Sequence, residues 1–176
     1  MAKISIVANP KNKKEPGYPL VISPSVRYDK SLTANHKLLY GEIAALCNTG
    51  GSCWAHNQYF ADVMGVDKRS ITRWLKSLSE AGYIRVSDVL TIVVNQTKEP
   101  GHYVVIPGSV RHDKSLTANH KLLYGEMAAM CTTGASLWAD YKYVTDAMGV
   151  DVRSIKRWML ILSEKGYVKI DTGEAS

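Results

Sequence analysis

The sequence has no apolar run approaching the ~20 residues that a membrane-crossing helix requires, and it contains no CxxC pair. Its three cysteines, Cys47, Cys53 and Cys131, are odd in number, so a disulfide framework is not expected. Cys47 and Cys131 lie in apolar stretches, where a free thiol packs as a small hydrophobe. A glycine-rich phosphate loop, a GxSxG turn and an HExxH spacing are all missing. Neither a nucleophile elbow nor a zinc centre is therefore foreseen. No catalytic residue, metal or cofactor is expected, and the chain is not read as an enzyme. The opening Met1–Val7 is too short for a signal peptide and lacks a small-residue cleavage site. A cytoplasmic protein without a membrane partner is the expectation.

What the sequence does contain is positive charge and repetition. The net charge of +6 and a pI near 9.2 favour an anionic partner. Lys3, Lys11, Lys13 and Lys14 place part of that charge near the N-terminus, a segment that reads equally well as a solvated tail. Residues 15–86 align with residues 99–170 without a gap, and roughly two-thirds of the aligned positions are identical, the mark of an internal repeat. The run Asp29–Glu42 recurs unchanged as Asp113–Glu126. Two copies of this size are two small domains of one fold, since solenoids need three or more repeats. The expected division is a basic N-terminal segment with a short strand (1–14), a first domain (15–94), a linker (95–98) and a second domain (99–176). Residues 1–98 and 99–176 are each expected to fold separately, and to bind more weakly apart than together.

Each copy reads alike. A short β-rich stretch (Leu20-Val21-Ile22; Val104-Val105-Ile106) ends in Pro/Gly punctuation. Thr33 or Thr117 then caps a helix carrying Leu38, Leu39, Ile43 and Leu46, or Leu122, Leu123, Met127 and Met130. A segment through Trp54 or Trp138 leads to a short helix ending at Met64-Gly65 or Met148-Gly149. The Gly-Val-Asp that follows has a physical reading at each position. Glycine suits the left-handed end of a helix, valine plugs the corner, and Asp67 or Asp151 caps the next helix. Two helices joined by so short a turn form a helix-turn-helix.

In the following helix Ile71, Trp74, Leu75 and Leu78 take the i, i+3, i+4, i+7 spacing of a core stripe. Ile155, Trp158, Met159 and Leu162 repeat it. Gly82 and Gly166 end these helices, and Tyr83–Val86 and Tyr167–Ile170 begin strands. In the first copy Ser87-Asp88 turns that strand into Leu90–Val94, giving the hairpin of a winged helix. The fold class expected is α+β, mainly α: two tandem winged helix-turn-helix domains related by duplication. The four tryptophans (Trp54, Trp74, Trp138, Trp158) fall at matched positions and read as packing.

The pattern Leu-Thr-Ala-Asn-His-Lys-Leu-Leu-Tyr, then Trp, then Met-Gly-Val-Asp-x-Arg-Ser-Ile-x-Arg-Trp, then Gly-Tyr-Ile resembles the N-terminal winged-helix domains of replication initiators from Gram-positive plasmids and phages. The tandem arrangement is also similar to small accessory DNA-binding proteins of conjugative plasmids. This resemblance implies double-stranded DNA as partner, with other plasmid or phage proteins as further partners, and a role in transfer, replication or transcription. No further initiator domain follows the second copy, so autonomous initiation is not expected.

A winged helix sets its third helix in the major groove. Arg69, Arg73, Arg153 and Arg157 are the leading base readers, because a guanidinium fork matches guanine O6 and N7. Ser70, Thr72, Ser154 and Lys156 are second candidates for bases or phosphates. Lys68, Lys76, Arg85 and Lys169 are assigned to phosphates, from the helix flank and the wing base. A solvated charged face is the alternative for any one of them, although both copies keep the arginines while Lys68 and Lys76 become Val152 and Leu160. His36, His120, Glu42 and Glu126 have no metal-site register and are read as surface or cap residues. The expected mode is a monomer acting as an internal dimer. A winged-helix docking module in a replication or conjugation assembly stands as the alternative, and a nonspecific nucleic-acid chaperone as a third.

One asymmetry concerns the wings. The second copy has no strand after Ile170 to match Leu90–Val94, which leaves an open edge. A β-prone stretch, Lys3–Val7, precedes the first copy, and both stretches lead to Lys-Glu-Pro-Gly. Ile4–Val7 is therefore expected to pair with Tyr167–Ile170 and clasp the domains. A local sheet in the first domain or a frayed tail are the alternatives.

Overall fold

The computed structural model describes residues 3–6, 18–47, 55–86, 92–94, 103–132, 137–138 and 141–171. Strand β1 (Lys3–Ile6) comes first. The first repeat follows as β2 (Leu20–Ile22), α1 (Pro24–Tyr28), α2 (Ala34–Cys47), α3 (Asn57–Met64), α4 (Lys68–Glu80), β3 (Ile84–Val86) and β4 (Ile92–Val94). The second runs β5 (Val104–Ile106), α5 (Gly108–Arg111), α6 (Ala118–Thr132), β6 (Leu137–Trp138), α7 (Tyr141–Met148), α8 (Val152–Glu164) and β7 (Val168–Asp171). The class is α+β and mainly α, with two helix-turn-helix repeats in tandem. No helix among the described residues is long and apolar enough to cross a membrane.

The long helices α2 and α6 start on a capping box in which histidine occupies the usual Glu/Gln place. Thr33 C=O accepts from Lys37 N–H at 3.2 Å. His36 Nδ1 in turn accepts the Thr33 N–H at 3.2 Å and lies 2.7 Å from its hydroxyl. Thr117 and His120 repeat this at 3.0 and 2.7 Å. The Thr33 and Thr117 N–H groups, which have no partner within the helix, are thereby satisfied. With Nδ1 accepting, the proton sits on Nε2, which in either ring has no hydrogen-bond partner among the described residues. Each ring instead lies against an indole, His36 on Trp74 at 6.0 Å and His120 on Trp158 at 6.3 Å between centroids.

The helix-turn-helix corner forms as its residue types require. Gly65 and Gly149 are left-handed, with φ of 67° and 66°, and Val66 and Val150 pack on the core. Asp67 Oδ1 accepts Ser70 N–H at 2.9 Å, and Asp151 accepts Ser154 N–H at the same distance. The stripes Ile71, Trp74, Leu75, Leu78 and Ile155, Trp158, Met159, Leu162 are all buried. Trp54 lies outside the described residues, as does the side chain of Trp138.

Among the described residues three sheets join these helices. Strands β3 and β4 form the first wing, with Arg85 opposite Val93. The second wing is completed by β1, which runs antiparallel to β7 with Ile4 opposite Ile170 and Ile6 opposite Val168. The clasp expected at Ile4 is present over Lys3–Ile6, while Val7 falls outside the described residues. On its other edge β1 pairs with β6, Lys3 facing Trp138, so the order is β6-β1-β7.

Between the repeats, β2 pairs antiparallel with β5, Val21 opposite Val105. This ribbon lies close on α2 and α6. A Cβ on Gly125 would stand 2.4 Å from Val104 Cγ1, so the position needs glycine, while one on Gly41 would stand 3.3 Å from Leu20 Cβ, a tight fit.

The punctuation after β2 and β5 is not plain loop but the short helices α1 and α5, which carry Arg27 and Arg111 into the interior. Arg27 Nε donates to both carboxylate oxygens of Glu126 at 2.8 and 2.9 Å, and its Nη2 also bonds Glu126. Arg111 Nε donates to Glu42 at 2.7 Å, with a second bond from Nη2. Each pair joins one repeat to the other, and all four residues are buried. Glu42 and Glu126 are thus not surface or cap residues. Their burial between two repeats is a tertiary fact that helical register alone does not contain. Within each repeat Lys37 or Lys121 ties α2 or α6 to the short helix before it, donating Nζ–H to the Arg27 or Arg111 carbonyl at 2.5 Å. One hydrophobic cluster spans both repeats, so the separate folding expected for residues 1–98 and 99–176 meets a shared interior.

Candidate nucleic-acid interface

Helices α4 and α8 turn their apolar stripes inward and leave a cationic face outside. Lys68, Arg69, Thr72, Arg73 and Lys76 are exposed on α4, as are Arg153, Lys156 and Arg157 on α8. Arg85 on β3 and Lys169 on β7 are exposed on the two wings. The register opposite each of these wing residues (Val93 and Ser5) matches between repeats. Among the described residues the ion pairs are Arg27–Glu126, Arg111–Glu42 and Lys76–Glu80. Arg69, Arg73, Arg153 and Arg157 therefore present guanidinium groups that no carboxylate in that set neutralises. Lys76 meets Glu80 at 3.7 Å with both side chains largely in solvent, an i,i+4 contact too weak to hold it from a phosphate.

The second-rank candidates prove more engaged than their spacing suggests. Ser70 Oγ donates to Asp67 Oδ2 at 2.9 Å, and Ser154 Oγ to Asp151 Oδ2 at 2.9 Å. These hydroxyl protons are committed to the caps, and only their lone pairs remain for a ligand. The bonds hold the Asp67 and Asp151 carboxyls below the usual carboxylate range, the Ser70 and Ser154 N–H groups contributing most. Thr72 Oγ1 donates to the Lys68 carbonyl and accepts from Asn57 Nδ2, both at 3.0 Å. Lys156 Nζ lies 5.4 Å from the Tyr141 ring centroid, a cation–π pair.

Asn57 and Tyr141 were not among the residues singled out from sequence. Each opens the first helix of its helix-turn-helix and supports the exposed face of the second. Their offset from Thr72 and Lys156 is the same in both copies, and that matched spacing is the signal that could have found them.

The electrostatics of this face reach the core. Burial lowers the imidazole pKa of His36, and the Arg73 charge lowers it further. His120 is lowered by burial first, then by Lys165 and Arg157. Both rings are thus neutral beneath a cationic surface. Among the described residues no cluster of His, Cys, Asp or Glu could hold a metal ion.

Arg27 and Arg111 fix how the two faces stand to one another, because α1 and α5 each lock onto the opposite repeat. Comparison with known proteins agrees with this architecture. The sequence pattern of one family, described as Helix-turn-helix domain, matches residues 30–84 and again residues 114–168. No curated protein and no solved structure matches the chain.

Proposed function

Since the chain belongs, twice over, to the helix-turn-helix domain family, whose domains imply DNA binding, we propose that it binds double-stranded DNA sequence-specifically as an internal dimer. It acts by occupying its site, without catalysis, and so regulates transfer, replication or transcription of a plasmid or phage. The observation that carries this reading is the repeated pair of exposed arginines, Arg69/Arg73 and Arg153/Arg157, on helices whose other faces are buried. A guanidinium in the major groove reads guanine O6 and N7 together. The buried crossing of Arg27 and Arg111 supports the internal dimer, since it joins the two repeats and makes the second binding event intramolecular.

Two measurements test this. With about three to five phosphates neutralised per repeat, the log–log slope of affinity against salt is expected at roughly −5 to −9. Arg73→Ala is expected to cost about 1–3 kcal/mol on the specific site and much less on random duplex. Salt-independent binding would sink the reading, and uniform loss by the arginine variant would reduce Arg73 to a phosphate contact.

A further inference from the structure

The two recognition helices share one frame and differ along one line of side chains. Their caps have identical backbone angles, φ −79° and ψ 157° at Asp67 and Asp151. Residues four apart on a helix lie along one face, so Arg69 and Arg73 form one row and Lys68, Thr72 and Lys76 the row beside it. The arginine row is unchanged in α8. The neighbouring row becomes Val152, Lys156 and Leu160.

This change extends to the supporting residue. In the first repeat Asn57 bonds Thr72; in the second, Tyr141 stands where Asn57 did and carries Lys156 on its ring. The two positions have altered together, one contact replacing another. The residues that join the repeats, Arg27/Arg111 and Glu42/Glu126, are meanwhile kept.

Water gives no reason to put valine and leucine on this face, yet Val152 is 41% and Leu160 58% exposed. They stand eight residues apart, about 12 Å along the axis, with Lys156 between them. That is no contiguous apolar patch of the kind a protein interface uses. A lone apolar side chain among cations instead fits the major groove, where thymine shows a methyl group among the acceptors of its neighbours.

We propose that the chain reads two unlike half-sites and therefore sits on its DNA in one orientation, an inference that rests on the duplex-DNA reading above. The arginine rows read the bases common to both half-sites. Val152, in the first turn of α8 where base contacts are made, reads a thymine methyl that the first half-site lacks. Lys156, steadied by Tyr141, replaces the neutral Thr72 contact. Leu160 leaves out the phosphate contact made by Lys76, so the first half-site is the more salt-sensitive.

The test is selection of binding sequences from a randomised duplex pool, by the intact chain and by the variant Y141N/V152K/K156T/L160K, which gives both repeats the first face. The wild type is expected to enrich two different half-sites and the variant a true palindrome. Replacing the thymine of the second half-site by uracil, which lacks the methyl, is expected to weaken wild-type binding about fourfold and to leave V152K, which carries the first repeat's residue, unaffected. A palindrome enriched by the wild type, or a uracil effect that persists in V152K, overturns the inference while the DNA-binding reading stands. Failure of the wild type to retain any duplex overturns that reading, and this inference with it.

Discussion

Removing Arg27 is the sharpest perturbation the structure offers. Arg27→Ala leaves the Glu126 carboxylate 1% exposed with its guanidinium gone. Breaking one partner of a buried pair typically costs about 3–5 kcal/mol. For a chain of this size each kcal/mol moves the melting point by about 2–4 °C, so a fall of roughly 6–20 °C is expected. The two partners respond differently to their burial. Arg27 is held charged by Glu126, whereas desolvation pushes the Glu126 carboxyl up even with Arg27 beside it. Because taking two charges out of water costs about as much as their attraction returns, such a buried pair adds little net stability. It follows that R27M/E126L, which removes both charges and keeps the volume, recovers most of the loss or exceeds wild type. Urea denaturation followed by circular dichroism, on both single variants and the double, measures this. R111A is expected to match R27A, because Arg111 and Glu42 form the equivalent buried pair. A loss under about 1 kcal/mol for R27A, the size of an exposed pair, would refute the account.

Gly125→Ala puts a methyl 2.4 Å from Val104 Cγ1 and is expected to cost about 1–3 kcal/mol by overpacking; Gly41→Ala, with more room, costs less, and thermal melting ranks the two. Folding depresses the pKa of His36 and His120, so their contribution is complete above the unfolded value of about 6.5 and is lost as pH falls through the folded one. His36→Gln/His120→Gln keeps the capping boxes and is expected to flatten the stability profile as pH falls below about 6.5; an unchanged slope would put the titration elsewhere. Deleting residues 1–8 removes β1 and is expected to raise hydrogen exchange in β7 and β6 while sparing β3 and β4. Equal effects on both wings would contradict the clasp. Residues 1–98 or 99–176 alone, each stripped of its cross-repeat Arg and Glu partners, are expected to remain unfolded as monomers by circular dichroism.

The sequence by itself determined whatever depends on a few neighbouring residues. The Gly-Val-Asp corner, the core stripes of α4 and α8 and their outward arginines were legible because helix periodicity and capping act within one or two turns. The strand at Ile4 was legible by a different route, since a duplicated chain shows in one copy what the other lacks. What tertiary structure alone decided is the meeting of the two copies. Arg27 and Glu126 are 99 residues apart, and no local pattern distinguishes a charge that crosses to the other repeat from one that faces water. Glu42 and Glu126 read as surface residues for that reason. The same holds for α1 and α5, too short to show a period, whose burial comes from the repeat they dock on. Gly41 and Gly125 sit where a helix would favour alanine, and only the ribbon of β2 and β5 laid across them explains why neither position carries a side chain.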